Sequence, residues 1–247
     1  MTKAVKSLTD MERLKALTPA RIGLTRAGSS LATREVLAFD LDHARARDAV
    51  HLPFNALDIE DALHLRNLSA FRVSSAAADR AIYLQRPDLG RLLDVADRKR
   101  LSDYQANADA GYDLAIIVAD GLSACAIHEN AVAFLDEFLP LAEKNSWRLA
   151  PIVIASQARV AIADEIGDLL DARLSIILIG ERPGLSAADS MGIYVTFEPR
   201  KGRTDAERNC ISNIRPAGLS LSEASGQLER LILSAFDQGV TGVAMKQ

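Results

Sequence analysis

A chain of 247 residues, 49% hydrophobic and only 5% aromatic, can bury a sizeable core, which excludes disorder and fits one large domain or one domain with an appendage. Its net charge of -4, with 29 basic residues interspersed among 33 acidic ones, leaves no broad basic face and gives nucleic-acid binding no electrostatic support. Cys125 and Cys210 form neither a disulfide framework nor a metal spacing and indicate a reducing, cytoplasmic setting, while Met1 to Lys15 lacks an apolar signal region and no stretch reaches the roughly 18 apolar residues of a membrane span.

The patterning divides the chain into a mainly helical region, 1–107, and an α/β domain, 108–247. Arg21, Arg26 and Arg34 lie among Gly23 and Gly28 in a basic run that suits either an acidic ligand or a solvated, partner-covered loop. From Thr33 to Val50, Val36, Leu37, Leu41, Ala44 and Ala49 fall near one face and Asp40, Arg45, Arg47 and Asp48 largely on the other, which predicts an amphipathic helix. A shorter one spans Asp58 to Leu68, and Pro87 suits the first turn of another through Leu92, Leu93 and Ala96. Phe71 to Val73 reads as extended. Tyr83 to Pro87 reads as an extended, shaped loop, because the residue before proline avoids the helical region.

Beyond residue 108, short apolar runs alternate with helical patterns. Leu114 to Ala119, Ile152 to Ala155, Leu174 to Ile179 and Ile193 to Phe197 are buried-strand candidates rich in β-branched residues. Ser123 to Leu139, ending near Pro140, and Ile162 to Leu170 are the intervening helices, with a closing helix over Ser222 to Phe236. This alternation predicts a doubly wound parallel sheet, in which ligands sit beyond the carboxyl ends of the strands.

Three loops there carry chemistry. Asp120-Gly121-Leu122-Ser123 is either a ligand loop or a helix cap. Glu181 and Arg182, before Pro183-Gly184, either meet a ligand or pair with each other. Cys210, in Asn209 to Asn213, has Arg200, Lys201, Arg203, Arg208 and Arg215 around it in sequence, but all four histidines lie far upstream, which favours packing or ligand contact over nucleophilic catalysis. No dinucleotide or phosphate-loop glycine motif occurs, and Cys125 with His128 offers only two metal ligands.

Seven segments in order, Thr18 to Gly23, Arg26 to Gly28, Asp42 to Asp48, Tyr83 to Gly90, Asp120 to Ser123, Gly180 to Leu185 and Arg208 to Ile214, resemble the small, light subunit of ethanolamine ammonia-lyase from about residue 18 to the carboxyl end. That resemblance implies a Rossmann-like cobalamin-binding domain over 108–247, preceded by a helical part. It implies adenosylcobalamin as cofactor, held against the TIM barrel of a large subunit in an assembly of six large and six small chains that converts ethanolamine, by a radical route, to acetaldehyde and ammonia. Val160, Glu181 and Cys210 match the family's cofactor contacts, while the chain itself contributes no catalytic group. Asp42-His43 lacks the Asp-x-His-x-x-Gly spacing of base-off cobalamin domains, so no protein ligand to cobalt is expected. Some family members have a longer leader associated with bacterial microcompartments; here Met1 to Leu17, with Met11, Leu14 and Leu17 on a short helix, is either a reduced targeting or packing segment or a frayed leader.

Overall fold

The computed structural model describes residues 10–18, 20–105 and 111–246, so the expected boundary at 107/108 and the first nine residues lie outside the described part. In chain order, α1 (Asp10–Ala16) leads to a small hairpin of β1 (Arg26–Ala27) and β2 (Ser30–Leu31), then α2 (Thr33–His51), α3 (Ala56–His64), β3 (Ala70–Ser74), α4 (Arg80–Gln85) and α5 (Val95–Gln105). There follow β4 (Tyr112–Ala119), α6 (Ala124–Lys144), β5 (Ile152–Ser156), α7 (Ile162–Leu169), β6 (Ala172–Gly180), β7 (Met191–Phe197), β8 (Arg208–Ile214) and α8 (Leu221–Gln238).

Six strands form one sheet in the order β3-β5-β4-β6-β7-β8. The two-residue period of β4 explains why it is buried on both sides. Leu114, Ile116 and Val118 meet Ile127, Phe134 and Phe138 of α6 and Leu228 and Ile232 of α8, whereas Ala115, Ile117 and Ala119 meet Leu101 of α5 and Ile162 and Ile166 of α7. Helices thus cover both faces, as the expected α/β class requires. The sheet is mixed, however: β3, β5, β4 and β6 are parallel, while β7 is antiparallel to both its neighbours, β6 and β8. The expectation of an entirely parallel sheet fails at that edge because no α-helix intervenes between β6 and β7 or between β7 and β8.

Other local expectations are corrected. Asn209 to Asn213 is not a loop but lies in β8, an edge strand whose outward residues are polar. α6 does not stop at Pro140; it continues to Lys144, with Phe138 and Ala142 on either side of the proline buried in the core, so packing offsets the missing backbone donor. Tyr83 to Gln85 is helical, because Asp79 caps α4 by accepting from Ile82 N, and only Arg86, next to Pro87, leaves the helical region. The stretch from Pro87 makes a single 3-10 turn at Leu89–Arg91, and the next α-helix waits until Val95. α2 has its predicted span, yet Ala49 is its only buried residue.

Candidate functional site

Loops following β4, β5 and β6 converge beyond the carboxyl ends of these parallel strands on a cleft of about 400 Å³. Its lining includes Tyr83, Gly121, Arg159, Val160, Glu181 and Tyr194. Two glycines let the loops meet: Gly121 has φ +55°, and a Cβ there would stand 2.2 Å from the Gly180 carbonyl oxygen. A Cβ on Gly180 would stand 2.0 Å from the Ser123 carbonyl oxygen. Any side chain at either position would force β4 and β6 apart at the base of the site.

Asp120 lies beneath this junction. Its carboxylate accepts from Ala158 N at 3.0 Å and from Arg80 Nη1 at 3.2 Å, so it ties the loop bearing Arg159 and Val160 to the end of β4. Burial pushes its carboxyl up to about 6, against the lowering effect of those donors. Ser123 takes the capping alternative: its Oγ accepts from Ala126 N and donates to the Ala188 carbonyl. Asp120 is structural as well, but it shapes a loop that lines the cleft.

Glu181 does not pair with Arg182. Its Oε2 accepts from Ser190 Oγ at 2.6 Å and from Asn213 N at 3.3 Å, which fixes the carboxylate between β7 and the end of β8. Arg182 is exposed at the rim. Cys210 stands opposite Tyr194 in the β7–β8 register, so it adjoins the cleft through a wall residue. The basic surroundings expected around Cys210 are largely neutralised: Arg208 pairs with Asp164, Arg203 with Glu207, Arg215 with Asp189 and Arg200 with Glu198. Burial of the thiol pushes its pKa up, the Glu181 charge adds to this, and a hydrogen bond with Tyr194 opposes it. Cys210 is nevertheless exposed on the edge strand, so its thiol is accessible but held in the protonated form, which makes it a poor nucleophile.

Val160 and Glu181 therefore share one cleft and Cys210 flanks it. Arg159 and Tyr194 also line it, although the sequence reading did not single them out. The available signals were a tyrosine inside a mostly apolar strand and an arginine three residues after the end of a buried strand. Elsewhere, Cys125 donates to Glu129 while His128 Nε2 accepts from Asn55 N, so the two engage separate partners. In the basic run, Arg21 pairs with Asp42 at 2.6 Å and stacks on Phe39, and Arg34 pairs with Glu35.

Residues 9–246 match the family described as ethanolamine ammonia-lyase light chain (EutC). The ethanolamine ammonia-lyase small subunit of Azotobacter vinelandii is 54% identical over 95% of this chain and 87% of its own length. That of Pseudomonas paraeruginosa is 53% identical over 94% and 85%, and that of Ralstonia nicotianae 48% identical over 100% and 91%. With the strand-end cleft and the full-length match in hand, the chain belongs to the ethanolamine ammonia-lyase light-chain family.

Proposed function

We propose that this chain is the small subunit of an adenosylcobalamin-dependent ethanolamine ammonia-lyase and that its strand-end cleft forms one wall of the cofactor site. The observation that carries the reading is the convergence of Val160 and Glu181 on one cleft with Cys210 beside it. Those groups suit binding: Val160 offers apolar surface, the fixed Glu181 carboxylate accepts hydrogen bonds from amide side chains, and the protonated Cys210 packs. A cleft of about 400 Å³ is the size of a site for a small ligand and holds only part of a corrinoid, so the rest of the enclosure belongs to a partner. When bound, the cofactor supplies the radical chemistry that acts on ethanolamine, and this chain supplies position and exclusion of water.

On this reading residues 108–247 are the Rossmann-like cofactor domain, and 1–107 is the helical part that lends β3 to its sheet. The partner is a TIM-barrel large subunit, in a complex of six large and six small chains, in the cytoplasm or inside a bacterial microcompartment. Support for a partner comes from α2, which leaves Val36, Leu37, Phe39 and Leu41 between 41% and 62% exposed.

Co-expression with the neighbouring large-subunit gene, followed by assay of ammonia release from ethanolamine with adenosylcobalamin, tests the assignment. Activity is expected only from the pair; activity from either chain alone would overturn it. In that complex Glu181→Ala should raise the adenosylcobalamin concentration needed for half-saturation and leave the KM for ethanolamine nearly unaltered.

A further inference from the structure

Two guanidiniums stack on the ring of Tyr83 at the cleft, Arg80 with its Cζ 4.8 Å and Arg159 with its Cζ 4.3 Å from the ring centroid. Only one of them is neutralised. Arg80 pairs with Asp120 at 3.2 Å and donates to the Gly121 and Val50 carbonyls. The guanidinium of Arg159, half-buried in the cleft wall, makes one hydrogen bond among the described residues, from Nη2 to the Tyr83 carbonyl at a long 3.4 Å, and its Nε is buried without a partner. One of five guanidinium donors is thus engaged, and no carboxylate lies within ion-pair distance among the described residues. Arg182 adds a second cation at the exposed rim, and the one carboxylate that lines the cleft among the described residues, Glu181, is turned to Ser190 and Asn213.

A partly desolvated arginine held over a phenol ring, with its charge unmatched, is a preorganised seat for an anion. We infer that Arg159, with Arg182 at the rim, receives the anionic group of the ligand that fills this cleft. The inference rests on the cofactor reading above: the side chains of a corrin ring are neutral amides, so the anion that cobalamin offers is the phosphodiester of its nucleotide loop. Arginine suits that group because its planar fork matches two phosphate oxygens at once.

The test uses the co-expressed two-subunit complex and measures binding by the change in corrin absorption, with adenosylcobalamin and with adenosylcobinamide, which lacks the phosphodiester. Arg159→Gln should weaken adenosylcobalamin binding by about 10- to 100-fold, the worth of a charge-assisted hydrogen bond, and leave adenosylcobinamide binding within about threefold of wild type. Arg159→Lys, which keeps the charge and loses the fork, should fall between. Arg182→Gln, an exposed change that disturbs no packing, should give a smaller loss for adenosylcobalamin alone. In wild type, affinity for adenosylcobalamin should drop with added salt, and Arg159→Gln should flatten that slope. Equal weakening of both corrinoids, or a salt slope as steep in the variant as in wild type, would overturn the inference and leave the cofactor reading intact. A wild-type complex that takes up no adenosylcobalamin would overturn both.

Discussion

Asp120 shows how one buried carboxyl makes the site sensitive to pH. Its pKa in the folded chain is about 6, above the ordinary 3.8, so between those values the native state binds more protons than the unfolded one. Stability contributed by this group therefore falls as pH rises from about 4 to 6, and by the upper end ionisation costs about 3 kcal/mol. Asp120→Asn removes the titration. The difference in unfolding free energy between wild type and variant, from urea melts at successive pH values, should decline across that window and level off above it. A difference that is flat from pH 4 to 6 would show that the carboxyl titrates at its ordinary value. Cys210 allows a similar reading at a single side chain. In a Cys125→Ser background its alkylation by iodoacetamide should reach half its maximal rate only above pH 9, the ordinary thiol value, because burial and Glu181 both oppose the thiolate. A midpoint below pH 9 would restore a nucleophilic role. Of the site, Glu181 and Cys210 were legible as residues because they interrupt local patterns. Arg159 was not, since its environment depends on Tyr83, 76 positions away.

At the scale of elements, legibility followed burial. β4 and β6 announce themselves because, Ser175 of β6 apart, the buried positions on both faces are apolar. β8 does not, because it is an edge strand with residues such as Asn209, Ser212 and Asn213 exposed or half-exposed, and a polar run at an edge resembles a loop. α6 passes through Pro140 because tertiary packing outweighs a local rule. What holds the antiparallel edge is equally hidden from periodicity. Arg208 of β8 and Asp164 of α7 form an ion pair with side chains only 3% exposed, and Arg208 also donates to Thr196 Oγ1. Arg208→Met would strand the Asp164 carboxylate in the core and should destabilise the chain by about 3–5 kcal/mol. The double change Arg208→Met with Asp164→Leu should recover much of that loss, because it removes the uncompensated charge. Denaturant melts of the three chains decide this, and a double variant no more stable than Arg208→Met would show that the pair itself, and not the stranded charge, carries the energy.

For the whole molecule, the question is why a chain with a well-buried sheet leaves a 19-residue helix almost uncovered. α2 was predicted from its apolar face, and the helix formed, but its own chain does not bury that face: Leu37 is 62% and Leu41 51% exposed. Its carboxyl end is nevertheless anchored to the site, since Arg80 donates to Val50 at 2.8 Å and pairs with Asp120 beneath the cleft. A surface so placed allows a partner seated on α2 to close over the cofactor wall as well. Leu37→Glu combined with Leu41→Glu tests this, because both positions are exposed and should alter the stability of the isolated chain by no more than about 0.5 kcal/mol each. If α2 is the seat of the large subunit, the variant should melt like wild type yet fail to co-purify with that subunit, as unpaired carboxylates would be forced into a desolvated interface. Normal recovery of the complex on gel filtration would show that the large subunit lies elsewhere and that the exposed helix face has another cover.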